Sequence, residues 1–250
     1  MQPITSYSLE DRIRVIIQGP PKAGKSVLAM QFPKPYFIDL DVNLGGPLRY
    51  ASRAGLSLPV GYDVLDKDEK GNEVKPQQRY ARLNALLKAA QENPEIETIV
   101  IDSATQLTQV LIDEVCRSQG KQSPDDFKDG RQFWGFFGRL GVGVMAALKS
   151  MRKHIVLTAH EKVNKTADGS IVYPIKIAWP GQLGQVIGAY FTDVWRCETV
   201  AKPVGLEKEY KFVVRTMPDN MYELGNGLGL PPVFEFKWDI IAAALKKTNT

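Results

Sequence analysis

Eight residues constrain this chain more than any others. Gly19-Pro20-Pro21-Lys22-Ala23-Gly24-Lys25-Ser26 fits GxxxxGK[ST] at every fixed position. The segment directly follows a β-branched run, Ile13–Ile17, which reads as a buried strand. It leads into Ser26–Gln31, which reads as the start of a helix. A strand, glycine-rich loop and helix in that order form a cradle for phosphate. The glycines let successive backbone N–H groups turn inward, and the helix start adds its positive dipole end. Lys25 is placed to offer a point charge to β- and γ-phosphates, and Ser26 a hydroxyl to Mg²⁺. Gly19 through Val27 is the expected phosphate-binding segment.

The rest of the chain alternates strands and helices. Apolar runs at Tyr36–Leu40, Thr98–Ile101 and Ile155–Thr158 read as buried strands. Helical spacing marks Gln77–Gln91, Ala104–Arg117 and Phe133–Arg152. Val60–Leu65 with the polar stretch KDEKGNE reads as an exposed hairpin or loop. NKTADGSIVY carries an Asp-Gly turn and reads as a hairpin. Phe191–Val200 and Glu209–Thr216 suggest an antiparallel extension, and Trp238–Lys246 a closing helix. The expected fold class is α/β, with a mostly parallel central sheet flanked by helices. With no linker or repeat in 250 residues, one domain is expected, its core spanning about 10–235 and a helix about 236–247.

Three more sites carry chemistry. Asp102 ends the run Ile99-Val-Ile-Asp102-Ser103, so its carboxylate is a candidate to hold Mg²⁺ beside Ser26. The alternative is an N-cap for the helix that follows. Asp39 and Asp41 stand at i and i+2 on a strand, which points them to the same face, where one would orient or deprotonate water. The alternative is a capping role at the loop start. His160 ends Ile155-Val-Leu-Thr-Ala-His160 and would sense a γ-phosphate, or simply be a satisfied structural residue.

Composition narrows the class. Lys plus Arg number 32 and Asp plus Glu 28, a formal net charge of +4. That permits a polyanionic partner without requiring one. Only two cysteines, far apart, and two histidines exclude a Cys/His zinc site. The beginning of the chain has no apolar core of a secretory signal, and the longest apolar stretches, such as Val142–Leu148, are far short of the ~20 residues a membrane span needs. A cytoplasmic protein with reduced thiols and no membrane partner is expected.

This order of elements resembles the RecA/RadA-like ATPase core. It is most similar to bacteriophage nucleotide-binding proteins of AAA type that carry this core and are grouped with single-strand annealing recombinases. The resemblance covers roughly residues 10–235; GPPKAGKS is its specific part and the remainder is positional. It implies ATP and Mg²⁺ as cofactors, with attack of water on the γ-phosphate. Asp41 falls on the catalytic glutamate of a strand ending FIDxE, where this chain has FIDLD. Asp is shorter by one methylene, about 1 Å of reach, which can cost on the order of 10²-fold in rate. Asp102 falls on the aspartate that holds the metal. His160 falls on a polar residue, usually glutamine, that couples the γ-phosphate to DNA-binding loops. Those loops correspond to Ser118–Arg131 and Lys162–Tyr173. Arg215, in Tyr210-Lys-Phe-Val-Val-Arg215-Thr, lies where such proteins place a cation that reaches the neighbouring subunit's nucleotide; as a bare residue it is equally a surface strand position.

The resemblance also implies single-stranded DNA as partner, self-association into a ring or filament, and a phage single-strand binding protein as a further partner, in the bacterial host cytoplasm. No N-terminal polymerisation motif is evident. Lys121, Arg131, Lys162, Lys165 and Tyr173 are the expected nucleic-acid contacts. Six cations, Lys149, Arg152, Lys153, Lys162, Lys165 and Lys176, flank the fourth strand, with Phe133, Trp134, Tyr173 and Trp179 as aromatics to stack on bases. Scattered lysines also suit a solvated face, and Phe133, Phe136, Phe137, Leu140 and Val144 have the spacing of a core stripe. Two other functions compete. One is a nucleotide-gated interaction protein with little hydrolysis. The other is a small-molecule kinase, disfavoured because residues 117–139 hold only Arg117, Arg131 and Arg139 where an arginine-rich lid would sit.

Overall fold

The computed structural model describes residues 12–204 and 207–248. Five strands form the parallel centre: β1 (Arg14–Gln18), β2 (Pro35–Asp39), β3 (Gly61–Val64), β4 (Thr98–Asp102) and β5 (His154–Ala159). Six further strands follow or complete them: β6 (Glu161–Lys165), β7 (Ile171–Ile177), β8 (Asp193–Val204), β9 (Glu207–Arg215), β10 (Gly225–Asn226) and β11 (Val233–Glu235). The helices are α1 (Lys25–Ala29), α2 (Gly45–Arg53), α3 (Pro76–Glu92), α4 (Ala104–Ser118), α5 (Gly130–Ser150) and α6 (Trp238–Thr248). Among the described residues the main sheet has nine strands in the order β11-β9-β8-β1-β5-β4-β2-β3, with β10 pairing β8. Pairs from β8 across to β3 are parallel; β9, β10 and β11 add antiparallel. This is the α/β class implied by the RecA-like resemblance, C-terminal antiparallel extension included.

The central strands are buried on both faces, so they read as continuous apolar runs. Their period of two divides the core. Ile16, Ile99, Ile101 and Ile155 pack with α3, α4 and α5 on one side. Val15, Ile17, Val100 and Val156 pack with α1, α2 and α6 on the other. Because β1, β2, β4 and β5 are parallel, the loop after β1, the residues after β2, the end of β4 and the residue after β5 all meet at one edge of the sheet. That edge is where the sequence placed its chemistry.

Several expectations need correction. Gly61–Val64 is not part of an exposed hairpin; it is the parallel edge strand beside β2. Only the polar stretch after it is a loop, closed by the Lys67–Glu73 bridge. The helix α2 was not expected, because Gly45-Gly46-Pro47 reads as a turn. Buried Leu44 and Ala51, with half-buried Leu48 between them, have helical spacing. The six cations do not form one patch. Lys149, Arg152 and Lys153 precede β5 and Lys162 and Lys165 follow it, so its six residues, about 20 Å of strand, separate them. Lys153 is used structurally, its Nζ donating to the carbonyls of Asn93 and Ile96. Trp179 is 4% exposed and packs on Phe137, so it is core. The β6–β7 hairpin stands as expected and exposes Lys162, Lys165 and Tyr173. The tip between β8 and β9, residues 205 and 206, and the start of the expected core at residues 10 and 11 lie outside the described residues.

Candidate nucleotide site

A cleft of about 430 Å³ opens at the carboxyl edge of the sheet. Lys22, Gly24, Lys25, Ser26 and Val27 form its floor. Gly24 has φ of +89°, a left-handed conformation that glycine adopts without strain, and this turns the chain into α1. Gly19, Pro20 and Ala23 frame the loop from behind. The carbonyls of Gly19 and Pro20 accept hydrogen bonds from Lys25 Nζ at 3.0 and 2.9 Å. The carbonyl of Ala23 accepts one from the buried Cys197 thiol at 2.7 Å, and burial pushes that thiol up to about 12. Strand β8 thus braces the loop: a Cβ on Gly19 would sit 2.5 Å from the Cys197 carbonyl.

The acidic side of the cleft is Asp102 and Asp41. Asp102 is buried at the end of β4, and both its oxygens are engaged. Ser26 Oγ donates to Oδ2 at 2.6 Å, and the Thr158 hydroxyl donates to Oδ1. The N-cap of α4 is Ser103, so Asp102 is not spent on capping. Asp41 lies beyond the end of β2 and accepts a hydrogen bond from Ser103 Oγ at 3.1 Å. Burial raises its pKa, and the nearby Asp102 raises it further. Asp39 does not share this face. Its carboxylate accepts the backbone N–H groups of Leu44 at 3.1 Å and Asn43 at 3.4 Å, which is the capping alternative at the entry to α2.

The remaining walls come from His160, Asn43, Pro47, Tyr50 and Phe212. His160 Nδ1 is buried without a hydrogen-bond partner, and burial, followed by Lys25, lowers the pKa of the ring, keeping it neutral. Lys25 is itself buried, which lowers its pKa, while Asp102 opposes that shift. The rings of Tyr50 and Phe212 meet edge to face at 5.3 Å. A Cβ on Gly24 would meet the Phe212 ring at 2.7 Å, so that ring rests directly on the loop.

The structure therefore brings Lys25, Ser26, Asp41, Asp102 and His160 into one cleft. It places Arg215 elsewhere, on β9, paired with Glu198 at 3.1 Å and Asp219 at 3.9 Å. Lys121 is exposed in the segment joining α4 to α5, and Arg131 in the first turn of α5. Sequence reasoning missed Tyr50, Phe212, Thr158 and Ser103. Tyr50 was hidden with α2, whereas Thr158 and Ser103 stand within two residues of His160 and Asp102.

The donor set suits a hard cation. Among the described residues no cluster of three or more His, Cys, Asp or Glu would cage a metal alone. One carboxylate and one hydroxyl beside a phosphate cradle fit Mg²⁺, which keeps waters and shares phosphate oxygens. No helix among the described residues is long and apolar enough to cross a membrane.

Residues 11–223 match a family described as AAA domain. No curated protein matched the chain. Among solved structures, a KaiC-like protein of the hyperthermophilic archaeon Pyrococcus horikoshii OT3 is similar at 12% identity and a TM-score of 0.43, covering 86% of this chain and 84% of that one. The flagellar accessory protein FlaH of Methanocaldococcus jannaschii is similar at 15% identity and a TM-score of 0.31, covering 81% and 76%.

Proposed function

The chain belongs to this AAA-domain family, and on that premise we propose that it is a RecA-like, magnesium-dependent ATPase acting on single-stranded DNA. The observation that carries the reading is the Ser26–Asp102 hydrogen bond of 2.6 Å beside Lys25, with Asp41 and His160 in the same cleft. Lys25 and the loop would bind the β- and γ-phosphates, and Ser26 and Asp102 would hold Mg²⁺. When bound, the metal supplies positive charge to the phosphate oxygens. Tyr50 and Phe212 offer ring faces to the base. Asp41 acts as general base: water forms its bond to the γ-phosphorus, the bond to the β-phosphate oxygen breaks, and the proton passes to Asp41. The products are ADP and phosphate.

Support for the nucleic-acid part comes from a second concavity. A groove of about 880 Å³ runs along α5, walled by Arg131, Trp134, Arg139 and Val142 on one side and Gly181, Gln182, Leu183 and Val186 on the other. Trp134 is 46% exposed, and the Arg131 side chain 95%. One wall begins at Arg131, the last residue of the first expected loop segment, and the other begins at Gly181, beyond β7. Arginines for phosphates and an open indole for a base suit an unpaired strand. The resemblance to phage annealing recombinases supplies recombination or annealing as the process. It also supplies assembly into a ring or filament, in which Arg215 would have to exchange Glu198 for a neighbour's nucleotide.

The test is the ATPase rate with and without single-stranded DNA over a salt series. Stimulation that fades as salt rises supports the reading. A rate indifferent to DNA at every salt concentration removes DNA from it. The Asp41 departure favours a second reading, a nucleotide-gated assembly with little hydrolysis, in which ATP binds and promotes self-association while turnover stays near zero.

A further inference from the structure

Thr158 is wholly buried, and its hydroxyl is committed to Asp102 Oδ1. It stands on β5, one step past the Ile101–Leu157 pair that ends the β4–β5 ladder, so it faces Asp102 from the neighbouring strand. The other carboxylate oxygen takes the Ser26 hydroxyl. Lys25 Nζ is turned to the Gly19 and Pro20 carbonyls instead. Both hydrogen bonds to Asp102 are thus from uncharged hydroxyls. Such donors satisfy a buried carboxylate and fix its rotamer while leaving its full charge for a cation. Ser26 is also a candidate metal ligand through a lone pair of the same hydroxyl, whereas Thr158 holds the carboxylate from the β5 side with no second role at the metal.

We infer that Thr158 is a positioning residue that sets the magnesium affinity of the site by holding Asp102 on its β5 side. This rests on the proposed Mg–ATP reading and adds a residue outside the phosphate loop. A partner that orients a metal-binding carboxylate typically changes metal affinity by about 10–100-fold. Removing the Thr158 hydroxyl should move the magnesium requirement by that amount. The phosphate loop's own hold on nucleotide should not move.

The experiment titrates Mg²⁺ into protein mixed with a fluorescent ATP analogue, and repeats the nucleotide titration in EDTA. Thr158→Val and Thr158→Ala both lack the hydroxyl, so either one that folds suffices, while Thr158→Ser retains it. The expected result is a rise of about tenfold or more in half-saturating Mg²⁺ for the hydroxyl-free variants, with wild-type affinity in EDTA and recovery in Thr158→Ser. Wild-type half-saturation in a folded hydroxyl-free variant overturns the inference alone. So does failure of Thr158→Ser to recover, which would make the effect one of packing. A wild-type protein whose nucleotide binding ignores Mg²⁺ altogether overturns the Mg–ATP reading and this inference with it.

Discussion

Ser26 Oγ donates a 2.6 Å hydrogen bond to Asp102 Oδ2, joining residues 76 positions apart in the chain. One belongs to the phosphate loop after β1 and the other to the end of β4, and β5 lies between those strands in the sheet. The two oxygen donors meet only because both loops leave the same edge of a parallel sheet.

Asp41 tests whether the site is detuned. Its carboxylate is anchored by Ser103 at 3.1 Å and has one methylene less than glutamate. If reach limits the chemistry, Asp41→Glu should raise turnover by up to about 10²-fold with little change in KM, while Asp41→Asn should abolish turnover. Steady-state phosphate release measures both. Equal rates in wild type, Glu and Asn would show that Asp41 does not handle the water.

The same residue sets the pH dependence. A general base must be ionised, so turnover falls as pH drops through its pKa. Burial, then Asp102, raise that pKa in the free protein, so the acid limb of the kcat/KM profile should centre above the ordinary aspartate value of about 3.9. His160, whose pKa is lowered by burial, should add no limb at its ordinary value near 6.5. A limb at or below 3.9 would contradict the assignment of the base.

Tyr50 and Phe212 line the cleft as an edge-to-face pair. If they carry the base, Tyr50→Ala or Phe212→Ala should weaken ATP binding by about 1–3 kcal/mol, roughly 5–150-fold. Binding of inorganic tripolyphosphate should be unaffected by Tyr50→Ala. Calorimetric titration of both ligands separates the outcomes, and equal losses for ATP and tripolyphosphate would mean that the rings only support the loop.

Gly24 has no room for a side chain. Its φ is +89° and an added Cβ would meet the Phe212 ring at 2.7 Å. Gly24→Ala should cost about 1–3 kcal/mol of stability, a several-degree fall in Tm, and disable nucleotide binding. A variant with the wild-type Tm and wild-type ATP affinity would show that the loop tolerates another path.

Much of this site is legible in the sequence because its parts are short and local. GPPKAGKS is set by backbone geometry within eight residues, and VIDS by a buried strand that must end where its polar residue begins. Asp39 was misread because the i, i+2 rule holds only while the strand continues, and β2 stops at Asp39. The walls of the cleft are long-range. Phe212 reaches it from β9, far along the chain, and Tyr50 from a helix whose Gly-Gly-Pro start reads as a turn. The cation cluster was a product of counting along the chain, since a strand sends its two flanks to opposite ends of the sheet.

The most direct measurement of the central claim is calorimetric titration of Mg–ATP into wild type and Lys25→Ala. Lys25 now spends its ammonium on the carbonyls of Gly19 and Pro20 and stands ready to exchange them for phosphate oxygens. Charged hydrogen bonds contribute about 1.5–3 kcal/mol each, so the substitution should weaken binding on the order of a hundredfold or more. Undiminished Mg–ATP binding by a folded Lys25→Ala protein would contradict the assignment of the phosphate loop and the function built on it.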